Sequence, residues 1–209
     1  MNARQMVLAG VAALLALLPI AGVPEFWITQ LNYIGLFAIV ALGLVLLTGV
    51  SGLTSFGQAA FVGLGAYTSA YLSTAHGVSP WLTILVALVI TVAVALALAS
   101  ITLRMSGHYL PLATMAWGLS LYYTMSNMEF LGKYDGILGV PAMEFFGISL
   151  ASGRSYFYLI WVVALLAAVA VIHLLDSRTG RAIRALKGGV TMAEAMGIST
   201  YSYKVLVFV

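Results

Sequence analysis

YFYLIWVVALLAAVAVIHLL, residues 156–175, runs for twenty residues without an Asp, Glu, Lys or Arg. At about 1.5 Å per residue, that is the length an α-helix needs to cross roughly 30 Å of hydrocarbon. Asp176, Arg178, Arg181, Arg184 and Lys187 follow at once, so the apolar run has a sharp border. Upstream, no charged residue stands between Glu25 and Arg104. That stretch is about four times the roughly 20 residues one crossing needs, so it must cross repeatedly. Of the 209 residues 63% are hydrophobic and 7% charged, against about 25% charged in soluble domains, too few to face water. Backbone groups in lipid must be paired within each segment, and the strict alternation of a barrel is missing. The fold class that follows is all-α, a polytopic transmembrane helical bundle.

Gly, Pro and polar clusters divide the chain into spans at about residues 6–23, 31–47, 55–72, 81–103, 108–127 and 156–175. The connections are 24–30, the Gly/Ser/Thr turn 48–54, 76–80, the turn at 104–107, and a long one over 128–155. The first segment has Arg4 before it and small residues near Gly22, so a signal peptide is the competing reading. Its length, Pro19 and the spans that follow favour a retained first helix.

Orientation follows from Lys and Arg, which are enriched on the cytoplasmic side. Arg178, Arg181, Arg184, Lys187 and Lys204 are five of the nine basic residues, and they place 176–204 inside. Counting back through alternate crossings puts 128–155 outside and Arg104 and Arg4 inside. The outside loops then hold Glu25, Glu129, Asp135 and Glu144, with only Lys133 and Arg154 of the basic residues. A re-entrant segment near 51–58 is the arrangement that would break this count.

Several chemistries find no support. Cysteine is absent, so there is no disulfide framework or thiolate metal site. No basic patch interleaved with aromatics points to nucleic acid. No hydrolase elbow, zinc-protease motif or phosphate-binding P-loop occurs. No span carries an ionisable carboxylate, Lys or Arg in its interior, the usual sign of ion coupling. His108 and His173 sit at span ends, where an interfacial or packing role is the simpler reading. Trp27, Trp81 and Trp161 read as anchors at the membrane surface.

The third span, SFGQAAFVGLGAYTSAY over 55–71, differs from the rest. Gly65, Ser69 and Ser73 recur every four residues, a spacing that lets helix backbones approach closely. A packing helix at the bundle centre is the simpler reading. A pathway-lining helix is the alternative, with Thr54, Ser55, Gln58, Gly63 and Gly65 as its candidate residues.

In the 176–204 segment, Arg181, Arg184 and Lys187 share roughly one helix face, with Ile183, Leu186 and Val190 as an adjacent apolar strip. Gly188-Gly189 should interrupt this helix. A second short helix over 190–196 should end with Gly197 at the C′ position. A basic loop touching anionic headgroups and a docking element for a cytoplasmic partner fit these residues equally.

Four stretches carry a family resemblance. TGVSGLTSFGQAAFVGLGAY, residues 48–67, resembles the pattern G-x-x-G-x-x-S-x-G-Q-A-A-F-x-G-x-G-A-Y of the branched-chain amino acid (Liv-type) ABC transporter permeases. LRMSGHYLPLATMAWG (103–118) and KYDGILGVP (133–141) are similar to two further stretches of that family. SRTGRAIRALK (177–187), AEAMGI (193–198) and YKVL (203–206) resemble its cytoplasmic loop. The resemblance implies one permease domain over 1–209, incomplete at its C-terminus, in a bacterial cytoplasmic (inner) membrane. It further implies a second permease subunit, ATPase subunits that bind ATP-Mg, and a periplasmic substrate-binding protein. This segment itself would bind no cofactor and catalyse no covalent chemistry. The loop would be the ATPase-coupling element, with Arg181, Arg184, Ala193, Glu194 and Gly197 as its candidate residues. Thr191-Met192-Ala193 stands where importers in general carry Glu-Ala-Ala, so no specific ion pair to an ATPase is implied. A membrane-embedded enzyme and a secondary transporter are the alternatives.

YKVLVFV, residues 203–209, has the form of the start of a seventh span: an interfacial Tyr, a Lys able to snorkel, then unbroken apolar residues. Five apolar residues cover only about 7–8 Å. The expectation is a fragment whose natural chain continues through further spans.

Overall fold

A computed structural model describes residues 3–20, 22–104, 109–145 and 148–209. The turn at 105–107 and His108 lie outside these described residues. The helices are α1 (Ala3–Leu17), α2 (Glu25–Leu44), α3 (Gln58–Ala75), α4 (Pro80–Thr102), α5 (Tyr109–Asn127), α6 (Gly153–Asp176), α7 (Arg178–Gly188), α8 (Val190–Ala195) and α9 (Thr200–Phe208). A π-helical turn, Val45–Val50, prolongs α2. A minimal antiparallel hairpin, β1 (Glu144–Phe145) with β2 (Ile148–Ser149), sits in the connection before α6. The molecule is an all-α helical membrane protein.

Helix ends follow local chemistry, and several depart from the sequence reading. α1 stops at Leu17, two residues before Pro19, whose ring cannot continue a helix. α2 starts directly after Pro24 with Glu25 in its first turn, where a carboxylate suits the positive end of the helix dipole. The polar residues Glu25, Thr29 and Gln30, read as a connection, are therefore helical. α6 begins three residues early because Ser152 caps it, its hydroxyl accepting from the Ser155 N–H at 3.2 Å. α4 opens on Pro80 at its first turn, where the missing N–H costs nothing.

The stretches Glu25–Val50, Pro80–Thr102 and Gly153–Asp176 are long and apolar enough to cross a membrane by length and composition. Along them Phe37, Leu85, Leu88, Val89 and Leu166 are exposed. A water-soluble protein rarely shows contiguous apolar surface of that kind, whereas lipid matches it. Helical hydroxyls bond backward to carbonyls of their own helix, as Thr74 does to Ala70 at 2.7 Å and Thr124 to Ser120 at 2.7 Å. That keeps polar atoms paired without water. His173, near the end of α6, likewise places Nδ1 2.8 Å from the Val169 carbonyl.

The chain groups into two compact units, Met1–Gly43 with Glu144–Ser177, and Leu44–Met143 with Arg178–Val209. In the first unit the starts of α2 and α6 lie at a common end. Arg154 reaches the Val23 carbonyl at 3.3 Å and lies 3.9 Å from Glu25, and Asn32 Nδ2 donates to the Gly153 carbonyl at 2.9 Å. Further along, Gly35 admits Ile160 and Trp161 against the α2 backbone. Trp161 is half-buried in this seam with its indole N–H enclosed. Leu15, Ile28 and Phe157 form the core of the unit.

In the second unit Leu47, Leu98, Ala99, Leu103, Leu110 and Phe208 make one core cluster. It gathers the π-helical turn, the end of α4, the start of α5 and α9. Away from it, Tyr71 meets His76 and Phe130 with ring centroids 5.4 Å apart in both pairs, so the α3–α4 and post-α5 connections share the other end. The antiparallel succession of α3, α4 and α5 produces this sorting of ends.

Candidate functional site

The link over 51–57 replaces a helix with irregular backbone, and each polar group must find a specific partner. The Ser51 N–H donates to the Leu46 carbonyl at 3.0 Å and the Leu53 N–H to the Leu47 carbonyl at 3.0 Å. Thr48 Oγ1 donates to the Leu53 carbonyl at 3.3 Å. Beyond the turn, the Phe56 N–H donates to Thr114 Oγ1 on α5 at 3.1 Å, and the Gly57 N–H to Ser55 Oγ at 3.3 Å. The link is thus stitched at one side to the π-helical turn and at the other to α5.

Its far end opens into a groove of about 360 Å³ between α3 and α5. Phe56, Ala59, Ala60, Gly63 and Tyr67 form one wall, and Met115, Gly118, Leu119, Tyr122, Met125 and Ser126 the other. Small residues bring the two helices together here. A Cβ on Gly57 would lie 3.2 Å from the Thr114 carbonyl oxygen, and one on Gly63 would lie 3.3 Å from Met125 Cε. The walls are largely apolar and carry no charged side chain; Tyr67, Tyr122 and Ser126 supply the hydroxyls. Such a surface suits a compact apolar side chain with a few hydrogen-bonding groups.

Of the candidate pathway residues, Gly63 lies on the groove wall. Gly65 faces α4, where a Cβ would stand 3.7 Å from Thr91 Oγ1. Ser69 continues that seam by bonding Thr83 Oγ1 at 2.9 Å. The every-fourth-residue stripe is therefore a packing seam against α4. Ser55 is buried and occupied by the Gly57 N–H, Thr54 is exposed, and Gln58 is half-buried in the first turn of α3.

The second candidate region is α7 through α9. Ala182, Ile183 and Leu186 of α7 are buried, while Arg181 and Arg184 are exposed. Gly189, at φ 139°, breaks the helix, so Val190 does not extend the α7 apolar strip; it is exposed on α8. α8 ends in a Schellman turn: the Gly197 N–H donates to the Glu194 carbonyl at 2.9 Å and the Ile198 N–H to the Ala193 carbonyl at 3.1 Å. Gly197 takes the left-handed conformation this turn needs, at φ +80°. Ala193 is buried beneath, and Glu194 Oε1 accepts from Thr200 Oγ1 at 2.6 Å. Met192 and Met196, 71% and 75% exposed, project from the module. Sequence reading did not select them, although their four-residue spacing in a polar loop was a usable signal.

Among the described residues, no three of His, Asp and Glu gather where a metal could sit.

The model of the family described as "Branched-chain amino acid transport system / permease component" matches residues 26–209. Two curated relatives are the high-affinity branched-chain amino acid transport system permease protein LivM of Salmonella typhimurium and its counterpart in Escherichia coli. Each is 27% identical, over 83% of this chain and 46% of the relative. The chain thus spans about half the length of the curated relatives it matches. No solved structure matches it.

Proposed function

Because the chain belongs to the family of branched-chain amino acid transport permease components, we propose that it is the membrane-spanning part of an ATP-driven importer. Its cargo would be branched-chain or other hydrophobic amino acids, or related small amides. The observation that carries this reading is the α8 tip. Met192 and Met196 stand exposed on a short helix whose Ala193 is buried and whose end is fixed by a Schellman turn. Methionine is flexible and polarizable, suited to filling an apolar pocket on a partner. An ATPase subunit on the cytoplasmic side is that partner, with Arg181 and Arg184 flanking the contact. The basic residues of α7 set the side, as lysine and arginine do in membrane proteins generally.

On this reading ATP binding moves α8, and the helices connected to it switch the pathway between two states. The α3–α5 groove supplies one wall of that pathway. A second permease subunit completes it, and a periplasmic binding protein delivers the cargo. Covalent chemistry is left to the ATPase.

The test is co-purification of the intact permease with a P-loop ATPase subunit of a branched-chain amino acid importer from the same cell, followed by leucine uptake in proteoliposomes. A double charge substitution, Met192→Glu with Met196→Glu, should abolish ATPase retention while membrane insertion persists. Retention and uptake at the parental level would refute this reading.

A further inference from the structure

Lys187 stands in the last turn of α7, and its Nζ donates to the Gly49 carbonyl at 2.9 Å, across 138 positions of sequence. Gly49 lies in the π-helical turn that ends α2. The last carbonyls of a helix have no partner within it and carry partial negative charge, so an ammonium group both pairs one and neutralises the end. The Lys187 stem is also in place. A Cβ on Gly52 would lie 3.4 Å from Lys187 Cγ and 3.7 Å from its Cα. Gly52 sits at φ +75°, a conformation that side chains rarely adopt. Glycine therefore serves twice here, reversing the chain and letting α7 lie directly on the turn.

The two ends of this contact lead to the two regions described above. On the α7 side, Gly188 and Gly189 connect straight to α8 and the exposed methionines. On the other side, the 51–57 link leads to Phe56, whose N–H is held by Thr114 and whose ring lines the α3–α5 groove. α7 is itself firmly seated, with Ile183 0% and Leu186 5% exposed. One seated helix and one charge-assisted hydrogen bond thus connect α8 to the 51–57 link and the groove wall.

We infer that Lys187 is a positioning residue that transmits movement of the α7–α8 module to the 51–57 link and the groove wall. The loop then moves helices far from it in sequence as well as those on either side of it. This inference rests on the reading of α8 as the ATPase contact. It adds a specific residue, a specific route and a requirement for a long cationic donor.

The experiment uses the intact permease assembled with its ATPase in proteoliposomes, with leucine uptake and ATP hydrolysis measured on the same sample. Lys187→Met keeps the stem and removes the donor. It should leave ATPase retention unchanged and lower leucine imported per ATP hydrolysed by about two- to tenfold, the range for the net loss of one exposed hydrogen bond. Lys187→Arg, which keeps a long cationic donor, should restore most of the ratio. A merely structural role would lower assembly and leave the ratio unchanged.

Hydrogen exchange supplies a second readout, and serves alone if Lys187→Met fails to accumulate and Lys187→Gln must replace it. In the parent, a non-hydrolysable ATP analogue should change exchange at the amides of 49–57. In the variant that response should vanish. A Lys187→Met ratio equal to the parent's, a fall as large in Lys187→Arg, or a nucleotide response that survives in the variant overturns the inference while leaving the transport reading intact. A parental complex that neither retains the ATPase nor imports leucine overturns both.

Discussion

The Thr200 hydroxyl donates to Glu194 Oε1 across 2.6 Å, so the end of α8 and the start of α9 share one side-chain hydrogen bond. Between them, residues 195–199 form a closed turn with Met196 at its tip and Gly197 at its bend. Thr200 is buried, which gives the exposed carboxylate of Glu194 a fixed anchor. The exposed methionines therefore stand on a braced loop.

Removing that brace should loosen the turn without unfolding the module. Thr200→Val keeps the shape and removes the donor, at a cost of about 1 kcal/mol. Faster hydrogen exchange at the amides of Gly197 and Ile198 is expected in Thr200→Val and in Glu194→Ala. Glu194→Gln, which retains an acceptor oxygen, should exchange nearly as the parent does. Equal exchange in all three variants would show that the Schellman turn holds the loop unaided.

Gly197 separates backbone strain from crowding. Nothing lies within 4 Å of the place its Cβ would occupy, yet its φ is +80°. Gly197→Val should therefore cost about 1–2 kcal/mol through the backbone alone. Gly197→Asn should be milder, because Asn tolerates the left-handed region. The expected order in ATPase stimulation is Gly, then Asn, then Val, with membrane insertion equal in all. A valine variant that stimulates fully would mean that the turn can rearrange without loss.

Gly35 tests close helix approach in the first unit. An added Cβ would fall 2.6 Å from Ile160 Cγ2 and 3.3 Å from Trp161 Cε2. Gly35→Ala must push α2 and α6 apart, at about 1–3 kcal/mol. Its thermal midpoint in detergent should fall by several degrees. Gly43→Ala meets nothing within 4 Å and should match or exceed the parent, since alanine favours helix by about 1 kcal/mol. The reverse order would mean that α2 and α6 do not pack through Gly35.

Sidedness is tested directly by labelling. With cysteine otherwise absent from the sequence, single cysteines at Asp135 and Arg184 should react from opposite faces of sealed vesicles with a membrane-impermeant maleimide. Reaction of both from one face would overturn the alternate-crossing topology.

Much of this architecture was legible in sequence because the bilayer imposes its own punctuation. The span expected over 81–103 is α4, Pro80–Thr102, and the turn expected at Gly197 is there with its positive φ. Gly188-Gly189 interrupts the basic helix as expected. Span starts were misplaced where a cap or a dipole outweighed polarity, as at Glu25 and Gly153. The groove was legible only in part, with Gly63 placed on it and Gly65 placed by the fold on the opposite seam.

By itself the sequence determined the membrane class, the order of the long helices and the breaks in the 176–204 segment, because length, charge and glycine act locally. Only the tertiary structure decided that α3 meets α5 through Gly57 and Gly63 but α4 through Gly65, and that Lys187 pairs with Gly49. In lipid a buried helix face and a lipid-facing one are both apolar, so hydrophobic periodicity cannot say which neighbour a residue meets. A hydrogen bond across 138 positions leaves no local pattern at all; it exists because the fold leaves the Gly49 carbonyl without a helical partner and seats α7 against it.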